Sequence, residues 1–174
     1  MNTQNNDDIT SNNTGKNTYE RIIKECPTAM LSSHDEIGKI VSRPMHTILD
    51  TDDNSTVWIF TKYENNICEQ VRKNDVVCLS YSDPARNSYM SVVGTALLVN
   101  DRAMMKKYWS PIMKAWYPEG LDDPSMIFIK ITPLTADFWD GPSSKVVTLF
   151  AIAAAIIQGK EYDGGNDSLG KVSF

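Results

Sequence analysis

The segment SRPMHT at residues 42–47 combines residue types that can do chemistry. An Arg-Pro pair inside a strand-like run is unusual, because proline removes a ladder donor and belongs on an edge strand or where a sheet opens toward a ligand. Arg43 adds a planar fork of donors that suits an anion or the edge of a flavin-type ring. The next apolar run, 57–61, ends in a threonine hydroxyl that can meet a phosphate. This order predicts a site for a phosphorylated cofactor lying across a small β-barrel.

The apolar patterns around that segment predict a mainly β (α+β) protein. Six or seven short apolar runs end at turn residues, which is typical of strands. The predicted strands are 28–32, 39–49, 56–61, 75–82, 88–99, 125–132 and 135–139. The predicted helices are 19–25, 65–74, 101–108, 111–116 and 143–158. Because strands and helices do not alternate as in a doubly wound sheet, a closed or nearly closed antiparallel barrel with short flanking helices fits best.

Size and charge indicate one globular domain. The chain has 174 residues, enough for one core, and a net charge of −5 that gives no drive toward nucleic acid or an anionic membrane. The longest apolar run, 146–157, is too short to span a bilayer. The polar start, 1–17, has no signal-peptide pattern and is predicted to be a disordered tail, and 160–174 a flexible one, which leaves 18–159 as the domain. A cytoplasmic protein is expected.

The cysteines and histidines argue against two classes of site. Cys26, Cys68 and Cys78 are widely spaced without a CxxC pair, and only His34 and His46 are available to complete a metal site. No metal centre is therefore predicted. Neither histidine is paired with a nucleophile and a carboxylate at usable spacing, so a hydrolytic triad has no support.

Seven segments carry a resemblance to a known family. They are SRPM (42–45), WIFT (58–61), LSYSDP (79–84), SYMSVVGTA (88–96), DRA (101–103), YWSPIMKAWYPEGLDDP (108–124) and FWDGPSSKVV (138–147). The string at 108–124 is the most specific of them. On these segments the chain resembles the general stress protein 26 group of the pyridoxamine 5′-phosphate oxidase-like flavoproteins, which have the split-barrel fold, and the resemblance extends over nearly all of 19–159.

The resemblance implies a homodimer that binds two molecules of flavin mononucleotide (FMN) at the subunit interface. By motif position, Arg43, Pro44 and Met45 would line the isoalloxazine ring. The strand that contains Trp58 would also lie against the ring, and backbone groups near Phe60 would meet its pyrimidine edge.

The remaining implied contacts concern the phosphate and the second subunit. Thr61 and Lys62 would approach the phosphate. Tyr89 and Trp139 match positions from which the second subunit closes the site.

One position departs from the family pattern. Relatives carry a lysine or arginine near the start of the short helix after the threonine, where this chain has Ile67. The nearest substitutes are Lys62, Asn65 and Asn66. Losing one charge-assisted bond costs about 1.5–3 kcal/mol, although free amides at a helix N-terminus still favour an anion.

Several of these residues also have a structural interpretation. Arg43 can form a surface ion pair, Met45 can fill the core, and Lys62 can be a solvated edge lysine. Trp139 can plug the barrel instead of stacking on a ring.

The sequence thus predicts an FMN-dependent oxidoreductase of unknown substrate, reduced by a nicotinamide or by a small-molecule substrate. No general acid or base stands out. Pyridoxamine phosphate oxidation is disfavoured, because no Arg/His cluster for a second phosphate lies near Trp139. The alternatives are a non-catalytic flavin-binding stress-response protein and a dimer without flavin, and related barrels also use deazaflavin or haem.

Overall fold

The computed structural model describes the backbone of residues 4–141, 156–157 and 169–174, and the side chains from residue 14 onward within those ranges. This part of the chain contains the strands β1 (Thr28–His34), β2 (Ile40–His46), β3 (Ile48–Leu49), β4 (Val57–Lys62), β5 (Val76–Asp83), β6 (Ser88–Val99), β7 (Met126–Asp140) and β8 (Leu169–Ser173). It also contains the helices α1 (Gln4–Glu25), α2 (Asn66–Lys73) and α3 (Arg102–Tyr108), and 3-10 helices at Pro111–Ala115 and Gly120–Asp122.

The strands form one curled antiparallel sheet in the order β2-β1-β5-β6-β7-β4-β3, with β8 added to β7. The curl brings β2 back toward β4, but these two strands share no ladder. The barrel is therefore split between β2 and β4, as the fold prediction requires. Pro44 lies on β2, an end strand of the sheet, which confirms the edge position that proline predicts.

Strand β7 is the longest of these strands and corrects one prediction. The sequence predicts two strands separated at Pro133, but β7 runs through the proline without interruption. Pro133 lies opposite Gly94, where the register between β6 and β7 shifts. A Cβ on Gly94 would lie 2.6 Å from the carbonyl oxygen of Thr132, so the glycine permits this close approach. The missing proline donor is therefore accommodated at an irregular point of the ladder.

The predicted strand 39–49 is in fact two strands. The break comes at Thr47, whose amide and hydroxyl both donate to the carbonyl oxygen of Pro27, at 2.7 and 3.0 Å. Strand β2 pairs with β1 on one side of this break, and β3 pairs with β4 on the other. The apolar pattern conceals the break, because Ile48 and Leu49 continue it past Thr47.

The two faces of β4 build two separate cores. Ile59 faces the main core, which is filled by the inner faces of β1, β5, β6 and β7 and by apolar residues of α1 and α2. Trp58 faces the second core, which lies under α3 and the 3-10 helices. Alternation along the strand produces this division. Asp101 caps α3 as predicted, accepting from the amides of Ala103 and Met104 at 2.9 and 3.1 Å.

Within the described residues, parts of both segments that the sequence predicts as tails form regular structure. Helix α1 begins at Gln4, so residues 4–17 are helical. A Cβ on Gly15 would lie 3.1 Å from the Cβ of Val172 in β8, and Val172 is buried in the main core. The ring of Phe174 packs against the ring of Tyr19 in a tilted arrangement, with centroids 4.8 Å apart. The polar composition of these segments does not predict this helix and strand, because only a few apolar residues in each contact the barrel.

The predicted helix 143–158 lies outside the described residues except for 156–157, which are helical. Among the described helices, none is both long and apolar enough to cross a membrane. The described residues also contain no cluster of three or more side chains suited to a metal ion.

Candidate functional site

The inner face of β2 presents the side chains of Arg43 and Met45 to the split. Arg43 lies opposite Leu31 of β1, whose side chain is fully buried. Met45 packs against the main core. Alternation turns Pro44 to the outer face, where it is exposed beside Met30. Only two of the three predicted ring contacts on this strand therefore point inward.

Arg43 has one neutral partner and one free donor group. Its Nη2 donates to Oε1 of Gln70 in α2 at 2.8 Å, while Nη1 is buried without a partner in the described part of the chain. Burial lowers the pKa of Arg43, yet an arginine stays charged at neutral pH. None of the ion pairs among the described residues involves Arg43, so the surface ion pair is not observed. A half-buried cation with an unused donor is suited to an electron-rich or anionic ligand.

Thr61 lies on the inner side of β4 and is 3% exposed. Its hydroxyl oxygen accepts from Nδ2 of Asn65 at 3.0 Å, which leaves the hydroxyl hydrogen for another acceptor. Asn65 precedes α2 and makes no side-chain cap bond to the helix amides, and the exposed Asn66 begins the helix. The start of α2 thus offers donors beside Thr61. Arg43 and Thr61 are linked through one element, because Gln70 lies on α2 and Asn65 directly precedes it.

Lys62 points to the other face of β4, near Asp123. Hydrogen bonds from Ser125 lower the pKa of Asp123, and the positive charge of Lys62 lowers it further. Lys62 makes no salt bridge within the described residues and is half-buried.

The side chains of Trp58 and Phe60 belong to the second core. The indole nitrogen of Trp58 donates to Oδ2 of Asp50 at 2.6 Å, so this donor is already used. Phe60 packs on Phe128 with ring centroids 4.2 Å apart and meets Trp109 edge-on at 6.3 Å. These two predicted site residues can therefore contribute their backbone, but not their rings, to a ligand on the inner side of β4.

Tyr89 and Trp139 form an exposed aromatic pair on the outer face of the sheet. They lie directly opposite each other in the β6–β7 ladder and are 36% and 47% exposed. Within one chain the sheet separates them from the side chain of Arg43. A site that uses both sets of residues therefore needs a second copy of the chain. The exposure of Trp139 also shows that it does not plug the barrel.

Ile67, where the resemblance predicts a departure from a basic residue, is 2% exposed within the main core. Its neighbours Cys68 and Val71 on α2 are also buried. The side chain at position 67 therefore serves core packing. Burial raises the pKa of the Cys68 thiol, as expected for a packing cysteine rather than a reactive one.

Sequence reasoning did not single out Gln70 and Ser33. Oε1 of Gln70 accepts from Oγ of Ser33 at 2.8 Å as well as from Arg43. Ser33 is 1% exposed on β1. Helical spacing gives one signal, because Gln70 follows Ile67 by three residues and lies at the border of the buried face of α2.

Comparison with known proteins agrees with this architecture. The family model for pyridoxamine 5′-phosphate oxidase-like proteins matches residues 15–163. A candidate general stress protein 26 from Jannaschia sp. CCS1 superposes with a TM-score of 0.73 at 23% identity, covering 91% of this chain and 97% of the other. The general stress FMN/FAD binding protein from Xanthomonas citri has a TM-score of 0.68 at 24% identity, covering 76% and 92%.

The sequence of this chain is also similar to that of one further protein. Protein bli-3 of Neurospora crassa is 23% identical over 141 residues, which are 76% of this chain and 68% of bli-3. The similar structures share the fold, and the family match covers most of the chain, including β1 to β7. The chain therefore belongs to the pyridoxamine 5′-phosphate oxidase-like family and has its split-barrel fold.

Proposed function

We propose that this protein binds FMN at the split between β2 and β4 and acts as a flavin-dependent oxidoreductase on a small molecule. The observation that carries the proposal is the buried, unpartnered Nη1 of Arg43. A cation whose pKa is lowered by burial and which has no counter-ion among the described residues costs stability unless a ligand supplies an acceptor. The description of the X. citri relative as FMN/FAD binding supports a flavin in that role.

The donors around the split suit both ends of such a cofactor. Arg43 and Met45 would face the ring, with the backbone near Phe60 beside its edge. The hydroxyl of Thr61, the free amides at the start of α2 with Asn66, and Lys62 would hold the phosphate. When bound, FMN would supply the redox chemistry, while these residues bind and orient it and limit its contact with water.

A homodimer is part of the proposal. Tyr89 and Trp139 form an exposed aromatic patch that one chain cannot bring to Arg43, and Pro44 lies on the same outer face. Aromatic residues of this exposure are typical of the centre of an interface. In a second copy, the same pair would close the site over the flavin. A monomer by light scattering at micromolar concentration would contradict this.

The first test is the visible absorption spectrum of the purified protein, repeated after adding excess FMN and desalting. A retained oxidised-flavin band supports the proposal, and its absence contradicts it. Oxidation of a reduced nicotinamide in the steady state would then distinguish an enzyme from a protein that only binds flavin.

The burial of Ile67 specifically favours a second candidate, a family dimer that has lost flavin. Here an apolar, buried isoleucine stands where the resemblance implies a basic side chain. In that case no flavin band is retained, and the protein is nonetheless dimeric.

A further inference from the structure

Gln70 is the only partner of the Arg43 guanidinium within the described residues. Its Oε1 accepts from Nη2 of Arg43 and from Oγ of Ser33, each at 2.8 Å. The orientation of the amide follows from chemistry, because a guanidinium can only donate and the amide nitrogen would place two donors face to face. Ser33 is buried on β1, so Gln70 is fixed between a strand and the arginine.

The charge of this partner decides what Arg43 can do. A carboxylate at position 70 would be a salt-bridge partner for the guanidinium and would use its donors in a paired arrangement. A neutral amide holds the guanidinium in place with a single bond and leaves its charge uncompensated. Nη1 then remains a buried donor beside the split.

We propose that Gln70 is a positioning residue that presents Arg43 to the flavin as an uncompensated cation. This inference rests on the proposed FMN site and deepens it, because it assigns the contact at Arg43 to an electron-rich acceptor of the ligand. Ser33 supports the arrangement by holding Gln70 in the orientation that accepts from Arg43.

The substitution Gln70→Glu tests the proposal, because it changes the charge with almost no change in size. We expect FMN affinity, measured by quenching of flavin fluorescence, to fall at least tenfold. We expect the melting temperature of the flavin-free protein to stay the same or rise, because Arg43 gains a counter-ion. If Gln70 had a merely structural role, the substitution Gln70→Glu would move FMN affinity and melting temperature in the same direction.

The matched control is Gln70→Met, which keeps the size and removes the acceptor. It should lower both the melting temperature and FMN affinity, the latter several-fold. The decisive measurement repeats Gln70→Glu in an Arg43→Ala background, where its effects on affinity and melting temperature should both vanish. FMN binding by Gln70→Glu within twofold of the parent, or an effect that persists without Arg43, would overturn the proposal.

The same variants separate this inference from the proposed function. If the parent protein retains no flavin, the FMN site is wrong and the assignment of a flavin contact to Arg43 falls with it. The melting temperatures of the flavin-free variants still decide whether Gln70 leaves Arg43 uncompensated. If the parent binds FMN and these variants show no coupling, the inference about Gln70 fails while the FMN site stands.

Discussion

Asp50 and Arg43 are charged side chains next to opposite ends of the sheet, and their surroundings differ. Asp50 follows β3 and is 6% exposed. It accepts from the Trp58 indole at 2.6 Å and the Asp52 amide at 2.8 Å, and Lys107 lies 3.8 Å away. Among the described residues, Arg43 on β2 has one neutral partner and a buried donor without any. Within this part of the chain one charge is satisfied and the other is not.

The pKa values reflect this contrast. Burial alone would raise the pKa of Asp50, but the hydrogen bonds from the Asp52 amide and the Trp58 indole outweigh it and hold the pKa below its usual value. Burial lowers the pKa of Arg43 with no compensating interaction. A satisfied buried charge stabilises a fold, whereas an unsatisfied one is a cost that a ligand can remove. We therefore expect Asp50 to stabilise the fold and Arg43 to contribute to ligand binding.

The largest expected effect is on stability, from Asp50→Ala. Removing the carboxylate leaves the donors of Trp58 and the Asp52 amide without an acceptor, so we expect a loss of about 3–4 kcal/mol in the free energy of unfolding. Urea denaturation measures it. The control Asp52→Ala removes a carboxylate that is 77% exposed and should cost about 0.5 kcal/mol or less. Equal losses of unfolding free energy in the two variants would contradict the structural role of Asp50.

Arg43→Ala should have the opposite signature. Losing one charge-assisted contact, worth about 1.5–3 kcal/mol, should weaken FMN binding about ten- to hundredfold. Stability without flavin should hardly change, because the arginine carries an uncompensated charge. Titration calorimetry with FMN checks this, with Arg72→Ala as the control. Arg72 is exposed, stacks on Tyr63 at 4.6 Å, and should be dispensable. Unchanged affinity in Arg43→Ala would exclude this arginine from the site.

The substitution Ile67→Lys places a charge in the core and tests its effects on stability and on FMN affinity together. Because Ile67 is 2% exposed, we expect the free energy of unfolding to fall by about 2 kcal/mol. We also expect FMN to bind several-fold more tightly, since the family pattern places a basic group here beside the phosphate. Ile67→Met, which keeps the site apolar, should leave both quantities nearly unchanged. An unchanged dissociation constant in the lysine variant would show that position 67 does not approach the phosphate.

The smallest expected effect concerns acid stability. Because the folded pKa of Asp50 lies below its usual value of 3.8, its carboxylate contributes stability above that value. That contribution is lost as the pH falls through the folded pKa. Asp50→Asn should therefore show a shallower loss of stability below about pH 4, measured by thermal melts at a series of pH values. Parallel profiles for the two proteins would argue against a depressed pKa.

The sequence predicted the barrel because its strands follow simple apolar patterns that end at turn residues. It failed where local pattern and tertiary context disagree. Pro133 predicts a strand break, yet β7 continues because the register between β6 and β7 shifts at Gly94 opposite it. Thr47 lies in a pattern that predicts a strand, yet its hydrogen bonds to the carbonyl oxygen of Pro27 end β2 there. The contact of Gly15 with Val172 was not predictable either, because it joins two polar segments that are far apart in the sequence.

The candidate site was predictable in residue type but not in direction. Arg43 and Thr61 point into the split region from strands that the sequence identified. The family pattern names Trp58 and Phe60 on β4 without saying which way their side chains point, and the structure turns both rings to the second core. Gln70 was not predicted, because helical spacing places it only at the border of the buried face of α2 and its contacts with Arg43 and Ser33 depend on the tertiary structure.

Strand β8 has a consequence for self-association. One edge of β7 is paired first with β4 and then with β8, which covers residues 135–139. Without β8, that stretch would present unpaired amides and carbonyls directly beside the exposed ring of Trp139. Such an edge accepts a strand from another molecule. Strand β8 therefore removes residues 135–139 of β7 from the edges at which a strand of another molecule could add.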